Sequence, residues 1–200
     1  MMNKHIITII RVIVPIIISC FVLGCTNVRY LKPQKFEVLP ELMKSFKTDG
    51  RIKVLVPQNA ESKYRLEFLT YKIVDSKEVV EINSEDQVVK NFIYVNLNDM
   101  NKNAKELIEE VLVKKNIQLS NDAKKYIKFT ATKIQWHMRA DMTIGANLEF
   151  DIETGDGYKM HYMVRDKSPL DVERAVGATS SRAVEKIFQD DKIIKYIEAN

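Results

Sequence analysis

Cysteine and histidine are scarce in this chain of 200 residues, which carries two of the first and three of the second. That supply leaves little room for a disulfide framework, a thiolate metal centre or thiol and imidazole catalysis. Glycine is sparse too, at six residues. The stretch Gly155-Asp156-Gly157 lacks the following helix and lysine of a phosphate-binding loop, and a β-turn accounts for it. Neither sign of charge dominates: 31 Lys and Arg stand against 27 Asp and Glu, a formal net charge of +4. Internal repeats and low-complexity tracts are absent. Long apolar runs are missing as well. The uncharged stretch from Val12 to Gly24, broken only by Pro15 and Ser19, would reach about 20 Å as a helix, short of a hydrocarbon core of about 30 Å. Extending it back to Ile6 places Arg11 mid-span at a cost of about 2.5–3.5 kcal/mol.

What is present at the amino end is a basic segment with Lys4 and Arg11, a short apolar region and small residues, the pattern of an export signal. Val22-Leu23-Gly24-Cys25 resembles the lipobox of bacterial lipoproteins. The resemblance implies lipidation of Cys25 by a diacylglyceryl thioether, signal cleavage between Gly24 and Cys25, and acylation of the new amino terminus. Two or more acyl chains anchor stably, at about 0.8 kcal/mol per buried CH₂. Thr26 stands where aspartate would signal retention. By analogy with the enteric sorting rule, the chain is expected on the periplasmic face of the outer membrane. Cleavage removes Cys20, leaving no partner for a disulfide within the chain, and lowers the formal charge from +4 to +2. A nucleic-acid partner is therefore not expected. The organisation expected is a signal peptide over 1–24, a lipidated tether over 25–48 that could reach some 60–70 Å when extended, and one domain over 49–200.

Within the domain, strands are expected over 51–56, 64–75 (with a bulge or bend), 78–82 and 92–97. Met100, Ala104, Leu107, Ile108, Val111 and Leu112 form an apolar stripe at helical spacing, with Asn98 as a cap. Residues 126–139 form a strand whose apolar phase switches near Thr132–Lys133, which predicts a bulge. Ile144, Ala146, Leu148, Phe150 and Ile152 share one face of the next strand. Tyr158, Met160, Tyr162 and Val164 share one face of the strand after it. A three-residue turn at 155–157 keeps both apolar sets on one side, pairing Phe150 with Tyr162 and Leu148 with Val164. The same register sets Glu153 against Lys159 and Asp151 against His161. Pairing Ile134 with Leu148 would set Lys133 opposite Glu149 and leave a loop near 139–143. Ser168 and Pro169 look like the cap and first position of a helix with buried Val172, Ala175, Val176, Thr179, Ala183 and Ile187. A short last helix buries Ile193, Ile194 and Ile197. The fold class expected is α+β: an antiparallel sheet, two main helices on one face and a short C-terminal helix.

Candidate chemistry is thin. His137 and His161, the histidines left after cleavage, fall on the polar sheet face beside lysine and arginine, where charge pairing is the sufficient account. The acid pairs Glu109-Glu110 and Asp190-Asp191 lie on helices as solvated faces, and Ser180-Ser181 have no histidine in reach by pattern. Trp136 reads as core. No catalytic residue, cofactor or metal ligand is expected.

The stretch "NAKELIEEVLVKKN" and the tail "VERAVGATSSRAVEKIFQDDKIIKYIEAN" resemble the YajG-like family of small envelope lipoproteins over just over half of the chain. That resemblance implies an accessory lipoprotein without enzymatic activity and supplies no site. Two functions follow as expectations: a membrane-anchored binding or scaffolding domain joining an envelope protein partner, or an auxiliary lipoprotein of an envelope lipid or solute transport system. A cavity lined by Phe150, Tyr162 and Ala175 would favour the second.

Overall fold

The computed structural model describes residues 27–39, 43–48, 50–74, 77–82, 91–138, 143–169 and 171–199. The leader, Gly24, Cys25 and the 139–142 part of the expected loop lie outside the described residues. Among those described, ten strands and three helices make a mixed α/β fold with two sheets. In chain order they are β1 (Asn27–Leu31), β2 (Arg51–Leu55), β3 (Tyr64–Arg65), β4 (Glu67–Val74), β5 (Lys77–Ile82), β6 (Asn91–Val95), α1 (Leu97–Lys114), β7 (Gln118–Leu119), β8 (Lys125–Met138), β9 (Thr143–Thr154), β10 (Lys159–Pro169), α2 (Val172–Ile187) and α3 (Asp191–Glu198).

The meander β8–β9–β10 follows the expected register residue for residue. Phe150 faces Tyr162, Val164 faces Leu148, Lys159 faces Glu153 and His161 faces Asp151. The connecting turn closes with the Gly157 amide donating to the Thr154 carbonyl at 3.0 Å. Gly157 has φ of +90°, a conformation that glycine enters without a Cβ penalty. Ile134 pairs with Leu148 and Lys133 with Glu149, and the register shifts between Ala131 and Lys133, where the bulge is expected. A bulge frees a backbone amide from the ladder. Here the Ala131 amide donates to Oδ1 of Asn101, buried on α1, at 2.8 Å.

The expectation of an antiparallel sheet is corrected. Strands β2 and β4 both run parallel to β8 along one edge, β2 against 125–128 and β4 against 135–138. The chain between each of them and β8 passes through α1, and a strand that returns by a helical crossover runs parallel to the one before it. A second sheet, in the order β1-β6-β3, joins β1 and β6 in parallel. The break expected within 64–75 falls at Leu66, where the chain leaves β6 of the small sheet for β8 of the large one.

All six stripe residues of α1 are buried, and so are all six of α2. Helix α1 packs on β8, β7, β2 and α2, whereas α2 packs on β10 and β9. The caps differ from expectation. The Asn96 side chain accepts from the Asn98 amide, while Asn98 itself bonds both the amide and carbonyl of Ala60 at 3.0 Å. Ser168 and Pro169 continue β10 opposite Ile144 and Thr143, and Asp171 caps α2 by accepting from the amides of Glu173 and Arg174. A carboxylate there also meets the positive end of the helix. At the end of α1, Asn116 takes φ of +60°. The Asn116 and Ile117 amides then return to the carbonyls of Val113 and Leu112, a Schellman closure.

Of the tether expected over 25–48, the described residues 27–39 and 43–48 pack on the domain as a strap. After β1, the Lys32 amide donates to Glu173 at 2.7 Å, and the Pro33 carbonyl accepts from Asn103 on α1. Lys35 pairs with Glu106 and Glu110 of α1. Ser181 donates to the Phe36 carbonyl at 2.9 Å, and the Leu39 amide donates to Glu185. Val38 and Phe46 join the core, Phe46 stacking on Phe188 at 5.4 Å. The strap therefore lies across both main helices, which explains why Gly177, Ser181 and Glu185 are buried outside the expected stripe of α2. The proline-containing, unperiodic sequence signals only that 26–48 is neither regular helix nor regular strand. It says nothing of whether the segment packs.

Candidate functional site

The outward side of the β8–β9–β10 meander bears Lys128 and Thr130, Asp151 and Glu153, Lys159 and His161 around a shallow recess of about 550 Å³. Alternation along each strand puts these polar groups on one face because the intervening residues are needed for the core. Glu153 sits between Lys159 at 3.4 Å and Lys128 at 3.9 Å and accepts from Tyr126 at 3.3 Å. His161 meets Asp151 through Nδ1 at 2.7 Å and Glu149 through Nε2 at 3.4 Å. The hydrogen bond to Asp151, helped by the charges of both carboxylates, holds the imidazole above the usual histidine value against the opposing effect of burial. Each ring nitrogen faces a carboxylate, so the protonated imidazole is charge-paired on both sides. These contacts are largely exposed, and each is worth about 0–1 kcal/mol in water. Their chemical content is a patterned surface. Among the described residues, no group of three or more His, Cys, Asp or Glu side chains is arranged to hold a metal ion.

His137 departs from expectation. It shares the strand parity of the polar face, yet it is only 4% exposed, and its neighbours Gln135 and Asn147 are buried as well. At that end of the meander, β4 adds to the edge of β8. Glu67 of β4 accepts from Gln135 at 2.7 Å and pairs with Lys133 at 3.0 Å. Burial raises the Glu67 carboxyl, but the bonds from Gln135 and Lys133 outweigh it and leave the group below its usual value. The His137 ring covers Gly145 directly opposite: a Cβ on Gly145 would lie 2.0 Å from Nε2. Strand parity gives the side of a sheet; it does not tell which stretch of that side is exposed.

Asp190 also departs from its expected solvated role. It caps α3 by accepting from the amides of Lys192 at 2.7 Å and Ile193 at 3.2 Å. It further accepts from the hydroxyls of Tyr158 at 3.0 Å and Tyr162. Burial works to raise this carboxyl, but the bonds from Tyr162, Tyr158 and the two amides prevail and hold it below the ordinary aspartate value. The Tyr162 phenol is pushed well up, first by burial and then by its bond to Asp190. From the other end of α3, the Tyr196 hydroxyl accepts from the amides of Tyr126 at 2.9 Å and Gly155 at 3.1 Å. The short helix thus latches the tip of the hairpin that carries the charged face. An acid directly before an amphipathic run was the legible signal for the Asp190 cap. Its tyrosine partners needed the fold.

The other expected features stand apart from this face. Glu110 pairs with Lys35 and Glu109 with Lys105, Ser181 holds the strap, and the Ser180 hydroxyl points toward the Met100 sulfur. Trp136 is buried in the core, as expected. Met160, expected inward, is 45% exposed. Phe150 and Ala175 are fully buried, and the Phe150 ring meets those of Phe129 at 5.1 Å and Tyr162 at 5.5 Å. Among the described residues, no helix is long and apolar enough to cross a membrane.

No family model matches the chain, and no curated protein matches it. Among solved structures it is similar to protein XCC0632 from Xanthomonas campestris, described under the family model DUF330. That match has a TM-score of 0.42 and 7% identity, covering 86% of this chain and 94% of that one. A second structure, described as an uncharacterized protein, has a TM-score of 0.33 and 11% identity, covering 80% of this chain and 92% of that one. Likenesses this distant carry no statement about function.

Proposed function

We propose that the chain is a lipid-anchored protein of the bacterial envelope, a small accessory lipoprotein of the YajG-like kind, whose domain binds or scaffolds a protein partner and performs no chemistry. In this reading Cys25 carries the acyl chains, both main helices cover one side of the large sheet, and the charged side is presented to the periplasm. The observation that carries it is the β8–β9–β10 face: acids and bases there answer one another across strands, at His161–Asp151 and Lys159–Glu153–Lys128. Such a face favours complementary charge on a partner and disfavours wrong partners. In this reading the face pairs charge and carries out no reaction.

The transport reading, an auxiliary lipoprotein handling an amphiphile between sheet and helices, is second. Close packing of Phe150 against Phe129 and Tyr162 weighs against it. The test is affinity purification after cross-linking in cells, comparing wild type with Cys25→Ala. Envelope partners captured by wild type and lost from the unanchored form support location-dependent scaffolding. A lipid that co-purifies in stoichiometric amount reverses the ranking.

A further inference from the structure

The position of the anchor relative to β1 decides how the domain meets the membrane. One residue, Thr26, separates Cys25 from Asn27, the first residue of β1. Whatever the conformation there, the two steps from Cys25 to Asn27 span at most about 7 Å, and Val28 lies within about 11 Å of the cysteine. Headgroup regions are themselves about 5–8 Å deep on each side of the hydrocarbon. Strand β1 is not free to peel away as a leash. It pairs with β6 at all five positions, buries Leu31, and is followed at once by the Lys32–Glu173 bond.

The small sheet has two unlike faces. Leu31, Ile93 and Val95 point into the core. On the outer face Val28 is 49% exposed and Tyr30 is 59% exposed, and Tyr30 stacks on Tyr94 at 5.4 Å. Lys63 lies over both rings, 5.8 Å from Tyr30 and 5.0 Å from Tyr94. Arg65, opposite Tyr94 in the register, shares this face and is exposed. Tyrosines flanked by long basic side chains suit a bilayer interface, where the rings sit at headgroup level and the cations reach phosphate.

We infer that the outer face of the β1-β6-β3 sheet, through Val28, Tyr30, Tyr94, Lys63 and Arg65, is a membrane-docking surface that lies on an anionic phospholipid bilayer beside the acylated Cys25. The inference rests on the anchor reading above. It replaces a domain swinging on a leash of tens of ångströms with one held at a fixed face, and it leaves the charged β8–β9–β10 face for a partner.

The test uses the lipidated full chain, purified from membranes and reconstituted into phosphatidylethanolamine–phosphatidylglycerol vesicles or kept in neutral detergent. Amine-reactive labelling is read at Lys63 and, as an internal reference, at exposed Lys159 on the charged face. A basic side chain at an anionic surface is favoured by a factor of about five. The Lys63-to-Lys159 labelling ratio is therefore expected to fall about fivefold or more in vesicles. High salt should restore part of it. In Tyr30→Trp protein, bromine-labelled lipid should quench fluorescence added over wild type. An unchanged ratio without quenching, in a sample whose amino-terminal peptide carries the acyl mass, overturns the docking surface and leaves the anchor standing. A peptide without that mass overturns both.

Discussion

Replacing Gly177 by alanine tests whether residues 32–39 bind the helices as a strap. A glycine inside a helix ordinarily costs about 1 kcal/mol relative to alanine, so sequence reasoning alone expects Gly177→Ala to stabilise. The structure reverses the sign. A Cβ at 177 would lie 2.4 Å from the Gln34 carbonyl oxygen and 2.9 Å from its amide nitrogen, both backbone atoms that no rotamer change can move. Relief requires a strap shift of about 1 Å. Overpacking of that kind costs about 1–3 kcal/mol. The shift would also stretch the Ser181–Phe36 bond at 2.9 Å, worth about 1 kcal/mol. Set against the propensity gain, the net loss is about 2 kcal/mol. For a domain of this size that lowers Tm by about 4–8 °C. Urea unfolding followed by circular dichroism measures the loss, and a double-mutant cycle locates it. Ser181→Ala alone should cost about 1 kcal/mol and distinctly less in the Gly177→Ala background, since its partner would already be displaced. A Gly177→Ala protein more stable than wild type by about 1 kcal/mol would refute the strap and restore the free tether.

Three further outcomes are expected. Asn101→Ala strips the Ala131 amide of its acceptor at the β8 bulge and should cost about 1–3 kcal/mol, read as a fall in urea midpoint; an effect within a few tenths would mean the bulge does not need α1. Asp190→Asn should lower stability at neutral pH by about 1–3 kcal/mol through weakened capping and tyrosine bonds. Because the folded Asp190 value is depressed, its contribution is present above the unfolded value near pH 4 and fades as pH falls through the folded one, so the wild-type advantage over Asp190→Asn should shrink in acid. His161 should titrate by NMR above the free-histidine value and return toward it in Asp151→Asn. Its raised value means any stabilisation is complete below about pH 6.5 and is lost as pH rises through the folded value. A wild-type titration at or below the free value would refute the Asp151 pairing.

Some of this molecule was written in local pattern. The period-2 alternation of 144–164 and the three-residue turn leave one register that keeps charge out of the core, so the pairing of Phe150 with Tyr162 and the bulge beside Thr132 could be derived without coordinates. The helical stripes of α1, α2 and α3 were legible for the same reason: apolar spacing matches the turn of the backbone. The lipobox resemblance at Val22–Cys25 is likewise a property of sequence alone. What tertiary structure decided are the contacts between segments far apart in the chain. Strand direction depends on the route of the crossover through α1, so β2 and β4 came out parallel to β8. Side-chain parity placed His137 on the polar face, but only the folded structure shows that end to be buried. The segment after Cys25 has no period to read. Its packing follows from a backbone groove at Gly177, a serine at 181 and a β6 partner more than sixty residues away in sequence, a cooperation of distant parts that no window along the chain contains.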